Sequence, residues 1–493
     1  MKKHVFGILL QLESLFLILT ALISLLYKEK DWWVFMSCAI ISFFIGAVCI
    51  SISKWQAKRN VEKKLLSRAD SFMVVALSWV LFTLIGMLPF IKLEGMGVTD
   101  AFFETMSGFS TTGASVISDI DGIGYGLKFW RSITQWMGGL GIVVFTFALV
   151  PTGEMRNNNI FSAEATGISL DKFSPKIGST ARRLLAIYLI LTSACAMFYY
   201  LGPMNAFDAI CHSLTTIATG GFSTHTASIA YFNSPYIEYV CSIFMLLSSL
   251  NFGMYYYAFI KRWDIIRNNE ELNVFCKVVM IGVVVFMLLF NFSSYTLDNI
   301  TSLPIEFEEQ FRSALFHVST IISSSGFAAT KFDYVAWGDA YIMPTILLMI
   351  IGSCAGSTSG GIKVVRFVVA VKSIRNEFLK QLHPRAILGV TLGGRVLSDE
   401  RVKRTLSFFI IYMALVILGI TIMSYFDIDA ITCFGSCISA LSNIGPGAGM
   451  TGPASNYAEI HPVAKWLMSF YMLVGRLEIY TVLFLFMPSL YKK

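Results

Sequence analysis

Residues 110–115 read "STTGAS" and lie just inside a stretch expected to sit in a membrane. Three small polar residues beside a glycine are unusual in so apolar a chain. Similar stretches recur as "ATGGFS" at 218–223, "SSSGFA" at 323–328 and "SNIGPG" at 442–447. Aligning the four on Gly113, Gly221, Gly326 and Gly445 gives glycine spacings of 108, 105 and 119 residues, the mark of divergent internal repeats. Nine residues before each glycine stand Glu104, His212, His317 and Ser436. The intervening segments "TMSGFSTT", "SLTTIATG", "VSTIISSS" and "CISALSNI" are half apolar and too short to cross a bilayer. Their length suits re-entrant helices.

The composition sets the medium. Of 493 residues, 55% are hydrophobic and 14% charged, and the mean hydropathy is +0.67. A soluble protein of this length needs a far more charged surface. Apolar runs of roughly 20 residues recur, enough to cross about 30 Å of hydrocarbon as helix. Ten spans are predicted, near 5–27, 32–53, 71–91, 129–150, 182–202, 237–260, 273–293, 341–371 (interrupted), 405–425 and 463–489. The basic start "MKKH" allows a signal peptide, but no small-residue cleavage site follows and a second span comes at once. The first span therefore reads as retained.

The predicted fold is an all-α polytopic membrane protein with four pseudo-symmetric units of span, short pore helix, small-polar turn and span. The units divide as 70–155, 156–268, 269–385 and 386–493, behind a two-helix appendage with a basic loop at 1–69. With the N-terminus cytoplasmic, one side collects 28 of the 38 Lys and Arg, in the stretches 54–68, 156–183, 261–267 and 363–404 and at both ends. The other side carries acidic loops such as "IEFEEQ" at 305–310. Both termini are accordingly predicted to be cytoplasmic. The net charge of +7 fits this topology and anionic lipid, not nucleic acid.

Irregular backbone at membrane depth is tolerated only where protein buries it or a wet cavity adjoins it. Four such turns around one axis form a ring of carbonyls that can replace the hydration shell of a small cation. Glycine gives the conformational freedom to aim them, and the short helices point their negative ends inward. The alternative is that Gly, Ser and Thr merely let helices pack closely; four copies at matching offsets favour the filter.

"IGSCAGSTSGG" at 351–361 interrupts the eighth apolar segment with four glycines and four Ser or Thr residues. On the residues alone it is a flexible gate, a structural break, or a transporter's substrate site. Arg476 lies about mid-span in the last apolar run, where a cation needs a wet cavity or a partner. It reads either as an electrostatic barrier in the permeation path or as half of a structural ion pair. Glu478 reads as a structural partner for another helix. "GAGMTG" at 447–452 fits a dinucleotide fingerprint but lacks the strand and helix around it. His212 and His317 lack ligand-spaced partners and read as capping or packing residues of the short helices. The nine cysteines, Cys433 and Cys437 among them, contain no CxxC pair and read as inert packing residues. No nucleophile–base set or Walker motif appears, so no enzyme is expected.

"FFETMSGFSTTGAS", "HSLTTIATGGFSTH", "GSCAGSTSGGIKVVR" and "VGRLEIYTVL", with the two extra N-terminal spans, resemble the Trk/Ktr/HKT superfamily of potassium-transporting subunits. The closest likeness is to the TrkH/TrkG branch, and it covers essentially the whole chain. The resemblance implies uptake of potassium (and rubidium) across the bacterial inner membrane. It also implies a homodimer and control by a cytoplasmic nucleotide-binding, TrkA-like regulatory subunit, with no cofactor in this chain. It places potassium at Thr111, Thr112 and Gly113, at Thr219, Gly220 and Gly221, at Ser324, Ser325 and Gly326, and at Asn443, Ile444 and Gly445. A gate is implied at Gly352, Gly356, Ser357, Thr358, Ser359, Gly360 and Gly361 within 351–363, with Arg476 in the pore. The fourth turn departs from the others, lacking their Ser or Thr and following its glycine with Pro446, which loosens selectivity for potassium over sodium. Two alternatives stand beside this reading: a sodium- or proton-coupled secondary transporter of the same architecture, and a non-transporting scaffold or sensor.

Overall fold

The computed structural model describes residues 2–59, 68–139, 141, 177–296, 306–329, 333–386 and 388–487. Part of the expected span 129–150, most of the basic stretch 156–183 and the basic C-terminal pair lie outside these residues. Among the described residues six helices are long and apolar enough to cross a membrane, and two bent pairs bring the number to eight. The eighth expected span, 341–371, is two helices around an irregular segment.

Each unit opens with a long apolar helix: Arg68–Gly86 with Leu88–Leu93, Ile177–Tyr200, Glu270–Thr296, and Asp399–Ser424. A short helix follows in each: Val98–Phe109, Ala206–Ile217, Phe307–Ile322 and Ala430–Ser442. Asn205 and Asp429 start two of these by accepting from the backbone N–H three residues on, the preferred N-cap arrangement. The third short helix has 16 residues, longer than its sequence suggests.

The helices that follow the turns differ from expectation. They begin at Tyr125, Pro235, Asp339 and Pro462, two of them with Pro in the first turn, where its missing N–H costs nothing. In the second, third and fourth units they stop after 12 to 15 residues. The second unit bends by 91° before Phe252–Phe259, and the fourth by 117° after Arg476. In the third, Asp339–Ile350 gives way to an irregular loop before Val364–Leu382. The expected continuous spans 237–260 and 463–489 are therefore broken. Arg476 is at the end of a helix, not the middle of one.

The N-terminal appendage is a helical hairpin, Lys2–Leu26 and Trp32–Arg59. Its helices cross closely at two glycines: a Cβ on Gly46 would stand 2.8 Å from the Gly7 carbonyl oxygen and 3.1 Å from Gln11. Ser42 donates across the hairpin to the Leu10 carbonyl at 2.8 Å and to the fully buried Glu13 at 3.2 Å. Phe16 meets Trp136 edge to face, which fixes the hairpin against the first unit. Overpacking such a crossing costs about 1–3 kcal/mol. Gly46→Leu is therefore expected to lower the melting temperature of the detergent-solubilised protein, followed by tryptophan fluorescence, while leaving ion flux per folded molecule unchanged.

Candidate ion-conducting site

All four short helices end in the same way. Thr111, Thr219, Ser324 and Asn443 are left-handed, with φ of 53°, 56°, 54° and 53°. The next residue's N–H reaches back five positions, from Thr112 to Ser107, Gly220 to Thr215, Ser325 to Thr320 and Ile444 to Ser439, at 2.9–3.0 Å. The left-handed residues themselves bond back three positions. This is the Schellman termination, normally built on glycine. A side chain there costs on the order of 1–3 kcal/mol, a strain that clusters at functional sites. Every one of the four carries a side-chain oxygen.

Two residues on, Gly113, Gly221, Gly326 and Gly445 are again at positive φ, 84°, 78°, 72° and 101°. A Cβ on Gly113 would strike the Gly220 carbonyl, one on Gly221 the Ser325 carbonyl, and one on Gly326 the Ile444 carbonyl. One on Gly445 would stand 2.6 Å from the Thr112 carbonyl oxygen. Each glycine thus backs onto the middle carbonyl of the next turn, and the fourth closes onto the first. The twelve sequence-predicted turn residues form one ring.

Side chains brace the ring from behind. Glu104 accepts from the Val116 N–H at 2.9 Å and from Ser115 at 3.0 Å. Arg131 pairs with Glu104 at 3.0 Å, donates to the Ser223 carbonyl at 3.0 Å and stacks over Phe222. Both charges are essentially inaccessible, so one pair ties the first turn to the second. His212 donates Nδ1–H to the Asp208 carbonyl, leaving Nε2 to accept from Ser223 at 2.9 Å. His317 meets Thr345, and Ser436 meets Thr451. The residues nine before each glycine thus support the segment after the turn or the following helix. Gln135 spans the second turn, donating to the Gly220 carbonyl and accepting from the Phe222 N–H.

The irregular segment 351–363 packs directly against the ring. Ile351 and Ile362 pair as a parallel bridge and Gly352 N–H bonds Ile362, closing a loop whose tip is Thr358. Thr358 donates to the Ile217 carbonyl at 3.0 Å and lies 3.4 Å from Thr219 Oγ1. Gly360 N–H donates to Ser324 at 2.8 Å. Gly356 accepts from Phe252 N–H at the break of the second unit. Ser357 bridges Ser353 and Ser359, and Gly361 is left-handed beside Gly352. Lys363 Nζ donates to the Ser359 carbonyl. Arg476 donates to the carbonyls of Thr358, Gly138 and Gly139, joining the loop to the first unit. Glu478 pairs with Arg366, which also covers Phe408. The eight residues expected at the gate therefore meet at one place, beside the four turns.

The strands after the first two turns are clasped by His225. Its Nδ1 lies 2.6 Å from Asp121 and its Nε2 3.2 Å from Asp208, with Tyr231 stacked at 3.5 Å. The nearby Thr226 binds Asp121 through its N–H. Burial works against the charged imidazole, but the two carboxylates carry the His225 pKa above its ordinary value. Burial likewise opposes the charged Asp121, and bonds from His225 and Thr226 bring its carboxyl below the usual range.

Sequence reading missed Arg131, Gln135 and His225 because their partners are distant in the chain or on other units. "GAGMTG" holds a single 3-10 turn, Gly449–Thr451. No group of three His, Cys, Asp or Glu suited to a metal occurs among the described residues, and the nine cysteines are free.

Four re-entrant helices ending in a closed ring of carbonyls, above an intramembrane loop, define a pseudo-fourfold membrane transport protein, not an enzyme. The TrkH family model, described as a cation transport protein, matches residues 36–491. The chain is 35% identical over 496 residues, 99% of each chain, to the Trk system potassium uptake protein TrkH of Salmonella typhimurium. It is 33% identical to the Trk system potassium uptake protein TrkG of Escherichia coli, over 98% of this chain and 96% of that protein. The crystal structure of the potassium transporter TrkH from Vibrio parahaemolyticus superimposes with a TM-score of 0.85 at 32% identity, covering 99% of both chains. This chain belongs to the TrkH family.

Removing one member of a buried ion pair costs about 3–5 kcal/mol. Arg131→Met, which leaves Glu104 buried and unpaired, is expected to lower the melting temperature markedly, and Glu104→Gln with Arg131→Met to restore part of the loss. The His225 clasp should be complete below about pH 6.5, the ordinary histidine value, and be lost as pH rises through its raised pKa. The Asp121 contribution persists above the ordinary carboxyl range and is lost only as pH falls through its lowered pKa. Melting temperature is accordingly expected to fall as pH rises above about 6.5 and through the raised His225 pKa, and to fall less in His225→Ala.

Proposed function

We propose that this chain mediates potassium uptake, and rubidium uptake by the same route, as a multi-pass protein of the bacterial inner membrane with both termini cytoplasmic. The observation that carries this reading is the closed ring: four positive-φ glycines, each against the next turn's carbonyl, in a chain whose relatives are named potassium uptake proteins. An entering cation exchanges its water for carbonyls offered by the four turns 111–113, 219–221, 324–326 and 443–445, though not every carbonyl of each turn. Ser and Thr hydroxyls add oxygen at the lower edge of the ring.

Below the ring, the loop 351–363 and Arg476 form the gate. Their bonds to Ile217, Ser324, Gly138 and Gly139 hold the loop across the axis, and the guanidinium adds positive charge where a cation must pass. Opening requires these bonds to break together, which suits control from outside the chain. The units 70–155, 156–268, 269–385 and 386–493 conduct, with 1–69 as an appendage. A homodimer and a cytoplasmic nucleotide-binding regulatory subunit complete the assembly.

Rubidium and sodium uptake into vesicles containing the purified protein tests this reading. Gly113→Ser, strained at φ 84° and driven against the Gly220 carbonyl, is expected to abolish rubidium flux or admit sodium. Arg476→Ala is expected to raise basal flux. Rubidium and sodium fluxes unchanged by both substitutions in folded protein would overturn filter and gate alike. Rubidium uptake that requires a sodium or proton gradient would instead establish coupled transport.

A further inference from the structure

We infer that Tyr457 is a positioning residue that withdraws the Gly445 carbonyl from the ion-facing ring and so lowers the filter's preference for a large alkali cation over a small one. The inference rests on the filter reading above. Tyr457 Oη donates to the Gly445 carbonyl at 2.7 Å. The tyrosine is 3% exposed and packs its ring 5.3 Å from that of Phe103 on the first short helix. Its own N–H is anchored on the Ser115 carbonyl at 2.9 Å, in the strand after the first turn. The hydroxyl is thus held in place by its own backbone and by Phe103, and the Gly445 carbonyl is committed to it.

The sequence supplies a second, independent constraint at the same peptide. Gly445 is followed by Pro446, whereas the other three glycines are followed by Ala114, Phe222 and Phe327. Proline fixes its own φ, so the 445–446 peptide plane can turn only through the ψ of Gly445. Among the described residues no donor meets the carbonyls of Gly113, Gly221 or Gly326. The glycine level of the ring therefore offers three free carbonyls and one engaged. Discrimination between alkali cations depends on the number and field strength of coordinating dipoles, and a three-carbonyl level favours the larger ion less than a four-carbonyl level. Tyr334 binds the same strand further out, at the Gly447 carbonyl, and serves as the internal control.

The test measures rubidium and sodium fluxes into vesicles containing full-length protein. Tyr457→Phe keeps the ring and removes only the hydroxyl, and the rubidium-to-sodium flux ratio is expected to rise several-fold. Pro446→Ala is expected to move the ratio in the same direction by less, and it carries the test should Tyr457→Phe not fold. Tyr334→Phe is expected to leave the ratio unchanged. A ratio unchanged or lowered in folded Tyr457→Phe, or unchanged in Pro446→Ala when that variant stands alone, would overturn the inference. An equal rise in Tyr334→Phe would do the same, because both tyrosines would then merely support the strand. Gly113→Ser separates the two levels of argument. If it collapses the ratio while Tyr457→Phe does not change it, the filter stands and the tyrosine's role falls; if it has no effect either, the filter reading itself falls.

Discussion

The structure depends on one mutual contact, repeated four times: a glycine with no side chain allowing the next turn's carbonyl to approach it. Because each turn fills the space its neighbour leaves, none can move alone, and the fourth is locked by the first. Such closure explains why backbone with no regular structure is stable at membrane depth. Its polar groups meet one another, the ends of the short helices and the struts behind them. The struts need not be alike for this to work. Glu104, His212, His317 and Ser436 occupy one repeat position and find different partners, so the constraint on the backbone is shared while its chemical solution is local.

A second constraint runs beneath the ring. The left-handed residue that ends each short helix would be cheapest as glycine, yet it is Thr, Thr, Ser and Asn. In the second, third and fourth turns its oxygen or amide binds neighbouring elements, the loop below among them. Thr219 approaches Thr358, Ser324 accepts from Gly360, and Asn443 donates to Thr112 and to the Met472 carbonyl. Backbone strain at the helix end is thereby exchanged for direct contact between ring and loop. The breaks in the following helices serve the same layer, because a continuous helix would fill the space the loop occupies. Asn251, at the break of the second unit, caps the next helix through Gly253 N–H while the Phe252 N–H binds the loop at Gly356.

The parts of this arrangement legible in the sequence were those with a period. Four glycines at similar spacing, four short segments and the apolar runs located the turns, and the glycine-rich stretch 351–361 was conspicuous against its apolar surroundings. The bends after Ser248 and Arg476 carry no such mark. "LLSSLNFG" and "LVGRLEIY" hold at most one glycine each and no proline, and their helices break because tertiary partners take up the freed backbone groups. The Arg131–Glu104 pair was equally hidden. A buried arginine in an amphipathic helix is indistinguishable in sequence from a snorkelling one until its partner, 27 residues away, is in place.

What the periodicity conceals is asymmetry, and asymmetry is where specificity enters. Four equal turns would give a ring with equal fields, but side chains engage the second and fourth unequally. Gln135 takes the Gly220 carbonyl and Tyr457 the Gly445 carbonyl, and these turns face one another across the ring. The fourfold frame inherited from the repeat is thus reduced towards a twofold one by two donors the repeat does not contain. A carbonyl bonded from behind is both weaker as a ligand and stiffer as a wall. The first and third turns have no such donors among the described residues, so side chains brace the ring along one diagonal and not along the other.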